Sequence, residues 1–238
     1  MKKIRFYLNK DLDKFIALQF LDEKAAGIDF GKSIIKIHPK LKKAKKAGQK
    51  KRQKIIGEYF DEYYDRNRII LQKKLKLFRK EWRKKENDFF NISTFIFNDF
   101  EFQKGMYICY LSIIDCNPRF LESKTFQVFY KKTIEEATQT IAHELLHFIF
   151  FDFLSEKMKK EMKILSKEDI WNLSEIFNVV ILKSNLYKDI IDKKTVYSYP
   201  EHRKYLLPFE RIYKESTSIK DFILKGIKIL DRKEKQEK

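Results

Sequence analysis

Cysteine is nearly absent from this chain, with only Cys109 and Cys116 in 238 residues. Two thiols seven residues apart, on an apolar segment and the turn after it, cannot staple a fold, so a disulfide scaffold is excluded and both read as reduced. Long apolar runs are missing too. Asp11, Asp13 and Lys14 interrupt the N-terminal stretch before it reaches secretion-signal length, and no segment approaches a membrane span. The expectation is a cytoplasmic protein with no membrane partner. No internal repeat is found, which excludes solenoids. Arginine is scarce, at 10 against 42 lysines, although the net charge is +18. A surface so dominated by lysine lacks the bidentate forks that read bases, so nucleic acid as a partner is only weakly indicated.

Aromatic residues are abundant, 22 Phe and 12 Tyr, and with 43% hydrophobic residues they suffice for a packed core. Acidic residues are missing in one place. Between Asp29 and Glu58 there is none, while eleven Lys and Arg fall there, concentrated from Lys40 to Lys54. That window reads as a solvated basic helix or linker, or as a patch for an anionic partner. It marks an organisational boundary: residues 1–54 are expected to form a basic extension, packed or linking; 55–185 a core; and 186–238 a C-terminal segment covering the cleft of that core and ending in a disordered charged tail.

Within the core, apolar residues recur at helical spacing from Ile55 to about Glu86 (Ile56, Phe60, Leu71, Phe78, Trp82), predicting one long amphipathic helix. Phe89–Phe97, Met106–Ile114 and Thr125–Tyr130 are short, rich in Phe, Tyr and Ile, and bounded by Asn98-Asp99 and Asn117-Pro118, predicting three strands. Thr133 then caps a helix reaching about Phe153, and Ser166 caps another ending near Ser184. An irregular segment runs past Tyr199-Pro200 to Pro208, and a last helix covers Ile219–Leu230. The fold class expected is α+β.

The first of these two helices contains His143-Glu144-Leu145-Leu146-His147. Residues four apart lie one turn apart on a helix, so His143 and His147 can aim imidazole nitrogens at one tetrahedral ion, which this pattern makes zinc. Glu144 is turned about 100° from His143, beside the water such an ion activates, where it serves as general base in attack on a carbonyl. The surrounding positions Ile141, Leu145, Leu146, Phe148 and Ile149 are apolar, so these polar groups sit in a region that should be buried. A catalytic zinc needs a third protein ligand. Phe150 and Phe153 stand where a metzincin has Gly and His, which excludes that branch. Asp152, Glu156, Glu161, Glu168, Asp169, Glu175 and His202 remain, and Glu175 is preferred as the one acid embedded in an apolar helix.

This arrangement, HELLH followed by a Glu on the next helix 28 residues beyond the second His, resembles the gluzincin branch of the zincins. The order of long helix, strands, HExxH helix and Glu helix over residues 55–185 is similar to the compact minigluzincins. The resemblance implies a zinc metallopeptidase with metal ligands His143, His147 and Glu175, and Glu144 as base. It implies that the strand carrying Thr125, Gln127 and Phe129 binds an extended peptide or protein substrate along a sheet edge. It implies an oxyanion stabiliser, sought in Tyr199 and His202. That segment could instead lie across the cleft and hold the enzyme latent. The family pattern has Asp four residues after the Glu to orient a zinc His; Val179 stands there, and Asn178 is the substitute, unless it merely caps or is solvated. Two other readings stand beside this one. In the first, a degenerate zincin scaffold serves a nucleic-acid-associated or regulatory protein through the basic N-terminal part. In the second, the chain is a toxin-like or phage-type host-directed protease.

Overall fold

The structure, a computed structural model, describes residues 4–98, 100–101 and 106–234, with side chains described as far as residue 231. It is α+β, mostly helical with a small mixed sheet. The chain forms two compact units, Met1–Arg83 with Met106–Thr140, and Lys84–Gly105 with Ile141–Lys238.

In the first unit, β1 (Arg5–Leu8) leads into α1 (Lys10–Phe20), whose N-cap Asn9 accepts from Leu12 N at 3.0 Å. A small hairpin, β2 (Lys24–Ala25) and β3 (Ile28–Asp29), precedes α2 (Phe30–Ile37), a 3-10 turn (Pro39–Leu41), α3 (Lys42–Lys45) and the 48-residue helix α4 (Gln49–Ile96), which continues into the second unit. Then come β4 (Ile108–Ser112), β5 (Arg119–Phe120), β6 (Thr125–Phe129) and the start of α5 (Ile134–Lys157). The sheet order is β1-β4-β6-β5, with β1 and β6 both parallel to β4 and β5 antiparallel to β6. Residues 5–8 are therefore built into the sheet, and the N-terminal region is packed rather than a linker.

Two expectations for the strands need correction. Phe89–Phe97 is helix through Ile96, because Trp82, Glu86, Phe89, Ser93 and Phe97 fall on one buried stripe at spacings of three and four. The β preference of its aromatic residues is overridden by a helical period running on from the preceding turns. The second concerns β6, which is not an edge. It lies between β4 and β5, Gln127 N donates to Pro118 O at 3.0 Å, and Phe129 N donates to Asn117 Oδ1 at 3.1 Å. Thr125, Gln127 and Phe129 are buried, so they do not line an open strand for a peptide.

The polar centre of the first unit is Asp13, fully buried on α1. Its carboxylate accepts from Ser112 Oγ (2.6 Å), Gln127 Nε2 (2.7 Å), Tyr64 OH (2.6 Å) and Ile113 N (3.0 Å), tying α1, α4, β4 and β6 together. On the other side of the same residue, His38 Nε2 donates to Ile113 O at 2.8 Å and Nδ1 accepts from Tyr59 OH at 2.9 Å. A carbonyl can only accept, which fixes that tautomer.

Apart from the end of α4, the second unit consists of the rest of α5, α6 (Lys159–Met162), α7 (Lys167–Leu182), α8 (Arg203–Lys214), α9 (Ile219–Glu234) and three 3-10 turns. Every residue of α7 from Leu173 to Leu182 is buried, and α8 and α9 pack on it. Gly226 on α9 permits that approach, since a Cβ there would come within 2.8 Å of the Phe209 ring and 3.2 Å of Leu173 Cδ1. The segment before Pro208, expected to be irregular, is helical from Arg203; the helix passes through the proline with one amide donor fewer. α9 carries the charged tail on as helix to Glu234, and the last four residues lie outside the described ones, as do Asp99 of the expected turn and the distal part of the expected tail.

Candidate metal centre

Two capping boxes start the helices that meet at this centre. Thr133 Oγ1 accepts from Glu136 N (3.2 Å) while Glu136 accepts from Thr133 N (2.9 Å), ahead of α5. Ser166 and Asp169 make the same reciprocal pair on α7. The Phe150 and Phe177 rings, 4.7 Å apart, pack one helix on the other.

That packing brings His143, His147 and Glu175 together. His147 Nε2 lies 3.0 Å from His143 Nε2; Glu175 Oε2 lies 3.1 Å from His143 Nε2, and Glu175 Oε1 3.4 Å from His147 Nε2. Ligands held about 2.0–2.1 Å from a tetrahedral ion stand roughly 3.3–3.4 Å apart, so the three groups are spaced like the corners of such a site. A hydrogen-bonded explanation fits less well. His143 Nε2 faces both a nitrogen and a carboxylate oxygen, and a single N–H can serve only one of them. Three lone pairs converging on one point are satisfied together by a cation. Among the described residues, this is the only cluster of three or more His, Cys, Asp or Glu with such geometry.

His147 and Glu175 are buried, and the His143 side chain keeps 13% exposure, so access to the centre is from the His143 side. Glu144 is buried beside His143 on α5. The competing third ligands go elsewhere. Glu156 pairs with Lys157, Glu161 with Lys220, Asp169 caps α7, and Glu168 is exposed.

Asn178 is drawn in by a different contact from the one expected. Its Nδ2 donates to the backbone carbonyl of His143 at 2.9 Å instead of its oxygen meeting an imidazole nitrogen. Its Oδ1 and His143 Nδ1 are both buried with no hydrogen-bond partner. Val179 is likewise buried in the apolar core.

Tyr199 and His202 gather around Trp171 of α7, one turn before Glu175, with ring centroids 5.3 and 5.1 Å from the indole. His202 is buried, and its Nε2 lies 2.7 Å from Asn172 Oδ1. Burial lowers its pKa, and the charges of Glu175 and Glu201 partly oppose that shift. The ring is thus neutral near pH 7, with its proton on the nitrogen facing the carboxamide oxygen. Asn172 was not singled out in the sequence. Its signal was position: a polar residue three before Glu175, on the same face of an apolar helix.

Thr125, Gln127 and Phe129 belong to the first unit, where Gln127 serves Asp13. No helix among the described residues is long and apolar enough to cross a membrane. No protein-family model, curated protein or solved structure matches the chain.

Proposed function

We propose that this chain is a zinc-dependent hydrolase of the gluzincin kind, cleaving peptide bonds. One observation carries the reading: His143 Nε2, His147 Nε2 and the Glu175 carboxylate, from two separate helices, converge at 3.0–3.4 Å in a buried setting. The HExxH spacing on α5 supports it, since it leaves Glu144 next to the ligands but rotated off their line.

His143, His147 and Glu175 would hold the ion, and zinc so held supplies Lewis-acid activation of a water molecule and of the scissile carbonyl. Glu144 takes the proton from the attacking water on its carboxylate and returns it to the leaving amine. Burial keeps that carboxylate from bulk solvent. For the developing oxyanion a hydrogen-bond donor is needed. Neutral His202 has spent its N–H on Asn172, so the role falls to the Tyr199 hydroxyl, with His202 and Trp171 holding the tyrosine ring.

The test is metal content and peptidase activity measured side by side on purified protein. Wild type is expected to bind one zinc, Glu175→Ala to bind it at least about a hundredfold more weakly, and Glu144→Gln to keep the metal while losing turnover. Tyr199→Phe should keep the metal and turn over more slowly. Wild type that binds no zinc, or Glu144→Gln with undiminished turnover, would sink the proposal.

A further inference from the structure

The acid-free window is folded, and its fold leaves the lysines in solvent. α2, the 3-10 turn and α3 bury Phe30, Ile34, Leu41 and Ala44, and so point Lys36, Lys42, Lys43 and Lys46 outward; Lys50 and Lys51 follow in the first turn of α4. Among the described residues, none of these six forms a salt bridge with a carboxylate. Nearby cations do find partners: Arg52 pairs with Asp22 at 2.6 Å and Lys40 with Glu62 at 3.8 Å. Five of the six thus sit on helices and Lys46 at the C-cap of α3, not on a tail.

Two features set this region apart from a lysine-rich surface of ordinary composition. The first unit holds 29 Lys and Arg against 14 Asp and Glu, whereas the second, of nearly equal length, holds 23 against 20. The second feature is placement. A helix start carries partial positive charge and favours acids, yet the first turn of α4 has no acidic residue and carries Lys50 and Lys51. It begins at Gly48, which brings no side-chain cap and has open space around it. Cations crowded onto the positive end of a 48-residue helix cost stability unless an anion is brought to them.

We propose that the surface from α2 to the first turn of α4 binds duplex nucleic acid through its phosphate backbone, without reading bases. Lysine ammonium groups act on phosphates as point charges and lack the forked geometry that discriminates base edges. A lipid surface is the less fitting polyanion. Membrane-surface helices pair their lysines with an exposed apolar face, and no large hydrophobic residue between 30 and 54 is exposed.

Fluorescence anisotropy with a labelled, mixed-sequence DNA duplex of about two helical turns tests this. If six phosphates are engaged, affinity falls on the order of a thousandfold between 50 and 200 mM salt, and a second duplex of unrelated sequence binds equally. The combined variant Lys42→Glu, Lys43→Glu, Lys46→Glu should lose about tenfold or more. Lys159→Glu, Lys160→Glu, Lys163→Glu makes the same change in net charge with exposed lysines of the second unit and should bind as wild type does. Lys36→Gln, Lys50→Gln, Lys51→Gln gives a milder independent set, with a smaller loss in the same direction. Absence of binding at low salt overturns the proposal. So does equal loss in both charge-reversed variants, which would mean bulk charge alone. Acidic phospholipid vesicles that bind as tightly as the duplex and displace it would give the surface to lipid instead.

Discussion

Each unit of the molecule buries a polar centre around a carboxylate, and the two are built on opposite principles. In the first unit, Asp13 meets four donors from α4, β4 and β6, so its oxygens are provided for by the chain. In the second, Glu175 meets two imidazole nitrogens that also face each other, and the surroundings leave His143 Nδ1 and Asn178 Oδ1 without partners. A buried carboxylate whose oxygens are met by donors is architecture, even where a neighbour such as Gln127 Oε1 is left without a partner; acceptors that converge on one another call for a cation. That contrast separates a structural aspartate from a glutamate that could hold a metal ion more sharply than burial does, since both are almost fully buried.

The largest expected effect tests the first half of the contrast. Asp13→Ala strands the buried donors Gln127 Nε2 and Ile113 N and takes the acceptor from Tyr64 OH, while Ser112 Oγ can turn to Ile114 O, and should cost at least about 3 kcal/mol of stability in urea unfolding. Glu175→Ala, measured without metal, takes the carboxylate from two imidazole nitrogens and should cost less, about 1–2 kcal/mol. The reverse ranking would mean that the centre of the second unit is the structural one.

A second effect follows from the burial of Asp13, which raises its pKa from 3.8 to about 6 against the pull of its four hydrogen bonds. The folded state therefore holds the proton more tightly than the unfolded state does. Its contribution to stability is fully present below pH 3.8 and is lost as pH rises through about 6, amounting to roughly 3 kcal/mol at 1.36 kcal/mol per unit. The network has a place for the proton. Protonated Asp13 can donate to Ser112 Oγ, whose own hydrogen then goes to Ile114 O at 3.1 Å. Wild type compared with Asp13→Asn across pH 3.5 to 7.5 should show this slope as a difference; parallel curves would mean that Asp13 titrates as it does unfolded.

The two units also differed in how far the sequence disclosed them. The helices that bring His143, His147 and Glu175 together were readable because their signals are local: HExxH spacing, Thr133 and Ser166 caps, and one acid in an apolar run at Glu175. The α+β class, the long helix and strands β4 and β6 were readable for the same reason. What was hidden depends on long-range pairing. β1 joins the sheet across about a hundred residues, which no local pattern announces, and β5 is only two residues long. Those two strands make β6 interior, so the substrate edge assigned to Thr125, Gln127 and Phe129 could not survive. Asp13 looked like a charge that breaks an apolar run because its four partners lie 51 to 114 residues away. The strand expected at Phe89–Phe97 failed for another reason: strand and helix both suit a short Phe-rich run, and only the register with Trp82 and Glu86 decides.

The smallest effect probes the boundary between the two kinds of centre, at Asn178. Its Nδ2 bond to His143 O is architectural, holding the turn of α5 that carries a ligand, while its unmatched Oδ1 belongs to the open side of the ledger. Asn178→Ala removes one hydrogen bond worth about 1 kcal/mol, a loss that urea unfolding of metal-free protein should record. If the bond also fixes where His143 Nε2 sits, zinc affinity should fall by about tenfold, as it does when support behind a ligand is lost. Asn178→Asp keeps the shape but presents a carboxylate oxygen to the carbonyl, so it should be worse than alanine for the fold. Zinc affinity unchanged in Asn178→Ala, with the stability loss intact, would restrict Asn178 to packing and leave His143 positioned by α5 alone.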